Sequence, residues 1–424
     1  MTDMEKRDYW TDSDLLVDPY SYFKEIRDIS PIFTDERGVM IVTGFEECRQ
    51  ILLDPETFSS INASIGPVTP MPWDPHGLDD ITDLIAQNRD KVPTSAAVTS
   101  LDGKAHHDAR SLLNRLFVPA RLKANETYMR ELAAKMVDEI VAAGHCDMIA
   151  EAATPFVTLV IADLLGVPAD DREMFRAKLA VQPTLFDVKR PNRRDVGPSS
   201  YLELAGVFCD YIEDRRTNPR DDILTQTSNA TYPDGSTPPT GTLAGIMMIL
   251  FGAGQDTSAK LLGNSVRYLC DNPEMQETLR TDRKLIPSFI EEMMRLEGST
   301  KSTFRLAAKN TKIGEVEIPA GTQLALVLAG ANRDSLRWDD PDTFKLGRPK
   351  AIEHVGFGRG AHTCIGAPLA RKEVIIFLDR LLEMTSNITM SEKQHGPAGA
   401  RKLNYEPSYG MRGLIDLHID LKGA

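Results

Sequence analysis

Between residues 106 and 285 apolar side chains recur at spacings of three and four for nearly the whole distance. A chain patterned this way must fold chiefly as packed amphipathic helices. The clearest runs cover 129–142, 156–165, 201–212 and 243–269. One break, 187–200, carries Pro191 and Pro198 among Lys189, Arg190, Arg193 and Arg194, and reads as an exposed connection. The ends differ in texture. Residues 19–29 look helical, and 32–33 and 39–42 read as short strands around a turn at Glu36-Arg37-Gly38. Residues 61–98 are rich in Pro, Asp and Ser, with one short helix expected near 81–88; so long an irregular stretch reads as a lid or binding loop. Further on, 316–319 and 323–328 look like strands with a Pro-Ala-Gly turn between them. Pro and Gly are dense up to Pro368, and a helix at 370–382 and a strand within 414–421 close the chain. The expected class is mainly α with small β-sheets (α+β), in a single domain over 1–424. It is neither a strict βαβ alternation nor a symmetric bundle.

Charge and cysteine content narrow the functional classes. Lys and Arg number 49 against 62 Asp and Glu, a net charge of −13, which argues against bulk nucleic-acid binding. The five cysteines are sparse, odd in number and never spaced C-x-x-C; a disulfide framework does not fit them, and a reducing cytoplasm does. The N-terminus is polar, and the most apolar stretch, 245–252, falls far short of the roughly 20 residues of a membrane span. No anchor is expected.

The most informative stretch is Phe357-Gly-Arg-Gly-Ala-His-Thr-Cys-Ile-Gly366. Three glycines flank one cysteine just ahead of a helix. Glycines admit tight backbone shapes, and the positive end of a helix favours thiolate, the form a soft-metal ligand or nucleophile needs. A free cysteine is ordinarily a small buried hydrophobe, and Cys48, Cys146, Cys209 and Cys270 read that way. Zinc at His362 and Cys364 lacks a second ligand pair, and no Gly-Lys-Ser/Thr follows for a phosphate loop. The segment Phe357-Gly358-x-Gly360-x-His362-x-Cys364-x-Gly366 resembles the haem-binding signature of the cytochromes P-450 at every fixed position. The resemblance implies that Cys364 is the axial thiolate of haem b, with Phe357 and Gly358 also against the cofactor, and a thiolate ligand favours O–O cleavage.

Three other constellations are similar to motifs of that family. Glu292-Met-Met-Arg295 puts a carboxylate and a guanidinium three apart on one helix face, ordinarily a surface pair of little worth. With Arg348 as third partner, the resemblance implies a buried structural network. Ala253-Gly254-Gln255-Asp256-Thr257 lies inside a long apolar helix, where Gly and Thr are poor formers and a small residue leaves space beside the helix. A dinucleotide loop is disfavoured, because the third glycine is missing. The family's oxygen-activation motif has this form, so Asp256 and Thr257 are the catalytic candidates for moving protons. His106 and Arg110, four apart, can face one carboxylate. By resemblance they bind a haem propionate, with Arg305 and His362 as the other contacts. The segment 298–304 departs from the family pattern in lacking a proline. Leu164-Leu-Gly-Val-Pro168 and Ala331-Asn-Arg-Asp334 are further matches, and no stretch remains for a fused reductase domain.

The resemblance implies a soluble, cytoplasmic, monomeric monooxygenase. It would insert one oxygen atom from O2 into a hydrophobic small-molecule substrate by hydroxylation or oxidative dealkylation, with electrons from an external ferredoxin and its reductase. Pocket candidates are 61–98, 181–188, Leu250, Ala253, Ser299, Thr300, Ser302 and Thr303, with 403–411 as a turn over the haem. Arg359, Arg371, Lys372, Arg115 and Arg121 are candidates for docking an acidic ferredoxin. Two alternatives stand beside this. One is a peroxide-driven peroxygenase of the same fold, which Asp256-Thr257 argues against. The other is a non-catalytic haem-binding sensor or carrier. Nothing in the sequence chooses between aromatic, terpenoid and steroid substrates.

Overall fold

The structure is a computed structural model that describes residues 7–179 and 200–424. The expected connection and pocket wall within 180–199 lie outside the described residues. The helices of the N-terminal part are α1 (Ser13–Val17), α2 (Tyr20–Ile29), α3 (Phe45–Leu53), α4 (Thr82–Asn88) and α5 (Gly103–Asn114). The helical body follows as α6 (Pro119–Ala143), α7 (Thr154–Leu165), α8 (Arg172–Leu179), α9 (Ser200–Thr217), α10 (Ile223–Ser228), α11 (Thr240–Asp271), α12 (Pro273–Thr281) and α13 (Ile286–Glu297). Towards the C-terminus come α14 (Leu328–Ala331), α15 (Ala367–Met384) and α16 (Glu392–His395). The short strands, in chain order, are β1 (Ile32–Thr34), β2 (Met40–Val42), β3 (Phe58–Ser59), β4 (His145–Asp147), β5 (Thr303–Ala307), β6 (Thr311–Ile313), β7 (Val316–Ile318), β8 (Gln323–Leu326), β9 (Thr385–Met390) and β10 (His418–Gly423).

The class is therefore the one expected, mainly helical with small sheets. The principal sheet runs β1-β2-β8-β5-β3, a second runs β4-β10-β9, and β6 and β7 form a hairpin. The turn at 319–321 does not fold its two flanking strands onto each other: β7 pairs with β6, whereas β8 joins the principal sheet. Pairing partners far apart in sequence decided this, and local pattern does not encode them.

α11 is the axis of the helical body. It is apolar on nearly all sides because α7, α9, α13 and α15 surround it. Its central Gly254 is a site of close approach, since a Cβ there would lie 2.9 Å from Ile161 Cδ1 on α7. Ile161 closes on the glycine from one side, and Gly254 with Ala253 and Thr257 also borders a cavity, the space expected beside the helix. α7 with the π-helical turn before it gives the stretch Met148–Leu165, long and apolar enough to span a membrane by composition alone. It, and not 245–252, is the stretch that passes that measure, and 61% of it is buried inside the protein.

The irregular region 61–98 is packed against the body. Ile81, Ile85 and Val92 form a small apolar cluster with Leu306 and Ala308, and the Ile81 N–H donates to the Ala308 carbonyl at 2.7 Å. Strand alternation in β5 then sorts its side chains. Phe304 enters the aromatic cluster of Tyr9, Trp10, Tyr22 and Phe23, while Thr303 and Arg305 face a cavity between the sheet and α11.

Candidate functional site

The cavity has a volume of about 390 Å³ and is bounded by α5, α7, α11, β5 and the loop before α15. Gly358 and Gly360 hold this loop with φ of +67° and +71°, values that only glycine adopts without strain. A Cβ on Gly360 would also meet the Leu52 carbonyl oxygen at 2.4 Å. The turn closes where the Cys364 N–H donates to the Phe357 carbonyl at 2.8 Å. Cys48, Cys146 and Cys270 are buried, Cys209 is half-buried, and Cys364 is open to the cavity it lines. Burial pushes the Cys364 thiol up, against the opposing pull of the Gly366 and Ala367 N–H groups and of Arg110. The N–H groups at the helix start act in the direction the sequence suggests, favouring thiolate, and burial opposes them.

One side of the cavity gathers His106, Arg110, Arg305 and His362, and among the described residues no Asp or Glu lines it. The His106 and His362 rings lie 3.9 Å apart. Burial, then Arg305, His106 and Arg110, pull His362 down to about 3. Burial and Arg110 lower His106, and burial lowers Arg110 and brings Arg305 down to about 10. Two guanidiniums beside two imidazoles, with no carboxylate among the described lining residues, suit an anion. The rest of the wall is largely apolar, with Leu250, Ala253 and Leu261 from α11 and Ile161 and Leu164 from α7. A flat apolar ring bearing two carboxylates and a soft-ligand iron matches this lining: cations at one edge, a sulfur at one face, hydrocarbon elsewhere. The residues present fit haem.

Thr257 lines the same cavity, and its hydroxyl donates to the Ala253 carbonyl at 2.7 Å. Asp256 does not line it. Its carboxylate is turned to Lys260, one helical turn on. The two residues expected to act together therefore point to different sides of α11, about 100° apart per residue. Behind the loop, Glu292 accepts from Arg295 Nε and Arg348 Nε, both at 2.8 Å, with the carboxylate wholly buried. Burial alone would raise the Glu292 carboxyl; the two guanidiniums hold it below its ordinary value. Arg295 also donates to the Asn332 carbonyl at 2.8 Å, and Asn332 Oδ1 accepts the Val355 N–H at 2.8 Å. The trio thus braces the loop that carries the cysteine.

Phe357, Gly358, Ser299, Thr300 and Thr303 all line the cavity, as do Ala63, Ser64 and Val98 from the irregular region. Ser302 does not. It shares the strand face of Phe304 and lies against Tyr9. Nor does any residue of 403–411 line it. That segment packs outside α11, where Glu406 meets Lys260 at 3.1 Å. Among the docking candidates, Arg121 donates to the Leu164 carbonyl at 2.8 Å at the end of α7, Arg371 pairs with Glu291 at 3.0 Å and lies over the Phe357 ring, and Lys372 pairs with Glu126 at 3.0 Å. Arg115 donates to the Thr231 carbonyl at 3.2 Å. Arg115 and Lys372 are exposed, and Arg359 and Arg371 half-buried.

Sequence reasoning missed the layer that orients His362. Ser60 Oγ lies 3.1 Å from His362 Nε2. Asp102 accepts the Ser60 N–H at 2.8 Å and the Ser59 hydroxyl at 2.6 Å, and pairs with Arg89 at 2.8 Å. Serines and an aspartate in a polar loop carry no periodic signal. It also missed Glu373, buried on α15 and bonded to Ser258 of α11, with its carboxyl raised by burial to about 8.

The cytochrome P450 family model matches residues 209–398. Cytochrome P450 109 of Bacillus spizizenii is 31% identical over 330 residues, 74% of this chain and 80% of that protein. Cytochrome P450 107B1 of Saccharopolyspora erythraea is 30% identical over 385 residues, 89% of this chain and 88% of that one. Substrate-free CYP150A6 of Mycobacterium marinum superposes with a TM-score of 0.93 at 44% identity, covering 99% of this chain and 100% of that chain. A cysteine opening on an anion-seeking, otherwise apolar cavity, in a chain that matches these relatives over most of its length, makes this protein a member of the cytochrome P450 family of haem-binding monooxygenases.

Proposed function

We propose that the protein inserts one oxygen atom from O2 into a small-to-medium hydrophobic substrate, by hydroxylation or oxidative dealkylation, as a cytoplasmic monomer fed by an external ferredoxin and its reductase. Haem bound through Cys364 supplies the redox chemistry that activates dioxygen. Each other role falls to this chain's side chains. Arg110, Arg305, His106 and His362 hold the two carboxylates of the cofactor. Phe357 and Gly358 shape the loop against it, and Glu292, Arg295 and Arg348 keep that loop rigid. Leu250, Ala253, Ser299, Thr300 and Thr303 bound the substrate volume. A mostly apolar wall excludes water and offers a C–H bond nothing to hydrogen-bond, so shape governs orientation. Thr257 presents a hydroxyl anchored on the Ala253 carbonyl, placed to pass a proton within the cavity. Asp256 is the carboxylate that brings protons to it from outside.

The observation carrying this reading is that Cys364, Thr257, the guanidiniums of Arg110 and Arg305 and the imidazoles of His106 and His362 converge on one cavity, with no carboxylate among its described lining residues. The experiment compares turnover of an apolar substrate library under a ferredoxin–reductase system with turnover under peroxide alone. Oxygenated product with the reductase system, falling several-fold in Thr257→Ala while reductant consumption continues, is expected. Product from peroxide only would establish the peroxygenase alternative, and neither would leave a haem carrier.

A further inference from the structure

Glu292 and its neighbour Glu291 lie about 100° apart around α13. Glu292 binds Arg295 and Arg348. Glu291 reaches instead to α15 and to the start of the cysteine loop. Its Oε2 accepts from Arg371 Nη2 at 3.0 Å and lies 3.3 Å from His354 Nε2. Burial would raise the Glu291 carboxyl, but His354 and Arg371 hold it down to about 2, so it is an anion at every working pH. A solvent-exposed pair between two helices would be worth little. This one differs because of where its cation rests.

The Arg371 guanidinium lies 4.6 Å from the centroid of the Phe357 ring, within the range of a cation–π contact. Phe357 lines the cavity together with Cys364, and its carbonyl accepts the Cys364 N–H at 2.8 Å. The His354 ring is 5.6 Å from the same phenyl ring, centroid to centroid. His354 is 1% exposed, and its Nδ1 accepts the Gly356 N–H at 3.0 Å. The proton of the neutral ring therefore sits on Nε2, towards Glu291. Burial lowers His354, with Glu291 pulling the other way. The fit is close: a Cβ at position 356 would lie 3.1 Å from Met294 Cε and 3.2 Å from His354 Nδ1. Arg371 is half-buried, and it is among the charges that pull the Cys364 thiol down. Its neighbour Lys372 turns away, to Glu126.

We propose that Arg371 is a positioning residue for the cysteine ligand: anchored by Glu291, it pins the Phe357 ring and lays a fixed positive charge beside Cys364, which sets how readily the bound iron accepts an electron. A cation near the ligand favours the form that holds one more electron, and the Glu291 anion tempers it. Residues behind a ligand tune a metal in this way without touching it. Arg371 thus serves the site from within the chain. The inference rests on the reading of Cys364 as the haem ligand.

The test is an equilibrium titration of the holoenzyme with dithionite and redox dyes, without any ferredoxin, so that docking has no part in it. At a fixed solution potential the ferrous-to-ferric ratio is expected to fall several-fold in Arg371→Met, which removes the cation. It is expected to rise several-fold in Glu291→Gln, which leaves the guanidinium uncompensated. Glu291→Gln is nearly isosteric and decides by its sign alone if Arg371→Met does not retain haem. Ratios that stay unchanged, or move in the same direction in both variants, mean a brace without an electrostatic role and overturn the proposal. The ferrous carbonyl spectrum of the parent is read first. A thiolate-type spectrum with unmoved ratios strikes this inference alone, whereas a spectrum without thiolate ligation removes Cys364 as ligand and brings down the functional reading as well.

Discussion

Glu373 is wholly buried on α15, with Ser258 as the partner of one carboxyl oxygen and, among the described residues, no partner for Oε1. Burial raises it to about 8 from an ordinary 4.5. The folded form therefore keeps a proton that the unfolded chain releases. Its contribution to stability is whole below about pH 4.5 and is lost as pH climbs through about 8, at a slope near 1.4 kcal/mol per pH unit. Glu373→Gln keeps a group able to bond Ser258 and has nothing to ionise. Urea unfolding of that variant is expected to lose this slope and to show higher stability than the parent at pH 8; an unchanged slope would mean that the carboxyl is not buried neutral. The cation cluster gives a second expectation. Arg305 is fully enclosed and faces the cavity, and a charge-assisted bond to a carboxylate is worth about 1.5–3 kcal/mol. Arg305→Leu should release haem about 10- to 100-fold faster, as followed by transfer to a haem-free acceptor protein. Arg121→Leu, on a backbone-bound cation outside the cavity, should leave that rate alone.

The long apolar helices were legible from spacing alone. The runs at 243–269 and 156–165 correspond to α11 and α7 with errors of only a few residues at their ends, because a 3.6-residue period survives any tertiary context. Short strands were another matter. Ile32–Thr34 and Met40–Val42 showed through a turn between them, whereas β5 went unread, since Thr303–Ala307 mixes Thr, Arg and Ala. That omission explains the misplacement of Ser302, which a strand's alternation turns away from Thr303. The cysteine loop was readable because its glycines are obligatory. Gly360 combines a left-handed φ with a backbone carbonyl 2.4 Å from any added Cβ, so Gly360→Ala must strain the loop and displace α3. A loss of roughly 1–3 kcal/mol is expected by chemical unfolding, with poorer haem retention, and Gly206→Ala on α9, where a Cβ has open space, serves as the control. The Glu292–Arg295–Arg348 trio belongs to this scale too. Glu292→Gln strips the charge that pairs two buried guanidiniums, and loss of roughly 3–5 kcal/mol should appear as a failure to accumulate holoprotein.

At the scale of the whole molecule, a net charge of −13 sets a general repulsion against an acidic electron donor, and local cations must overcome it. Arg371 and Arg121 are partly covered and bonded within the chain, and Lys372 makes only a solvent-facing pair, which leaves Arg359, Arg115 and Lys372 to steer. Reversal of Arg359 or Arg115 to Glu is expected to slow reduction by an acidic ferredoxin and to flatten its dependence on ionic strength, as stopped-flow measurement would show. An unchanged salt dependence removes electrostatic docking at these residues. The sequence by itself determined the helical class, because periodicity is a local property of a chain, and its resemblance to a family signature singled out Cys364, His106, Arg110, Arg305 and His362, which the structure brings to one cavity. Only the tertiary structure decided which faces meet. It closed the principal sheet from strands as distant as β1 and β8, turned Ser302 and the 403–411 segment away from the cavity, and gave Asp256 to Lys260 instead of Thr257's side. Those outcomes depend on packing between residues remote in sequence, where a rotation of one position along a helix or strand moves a side chain from one environment to another.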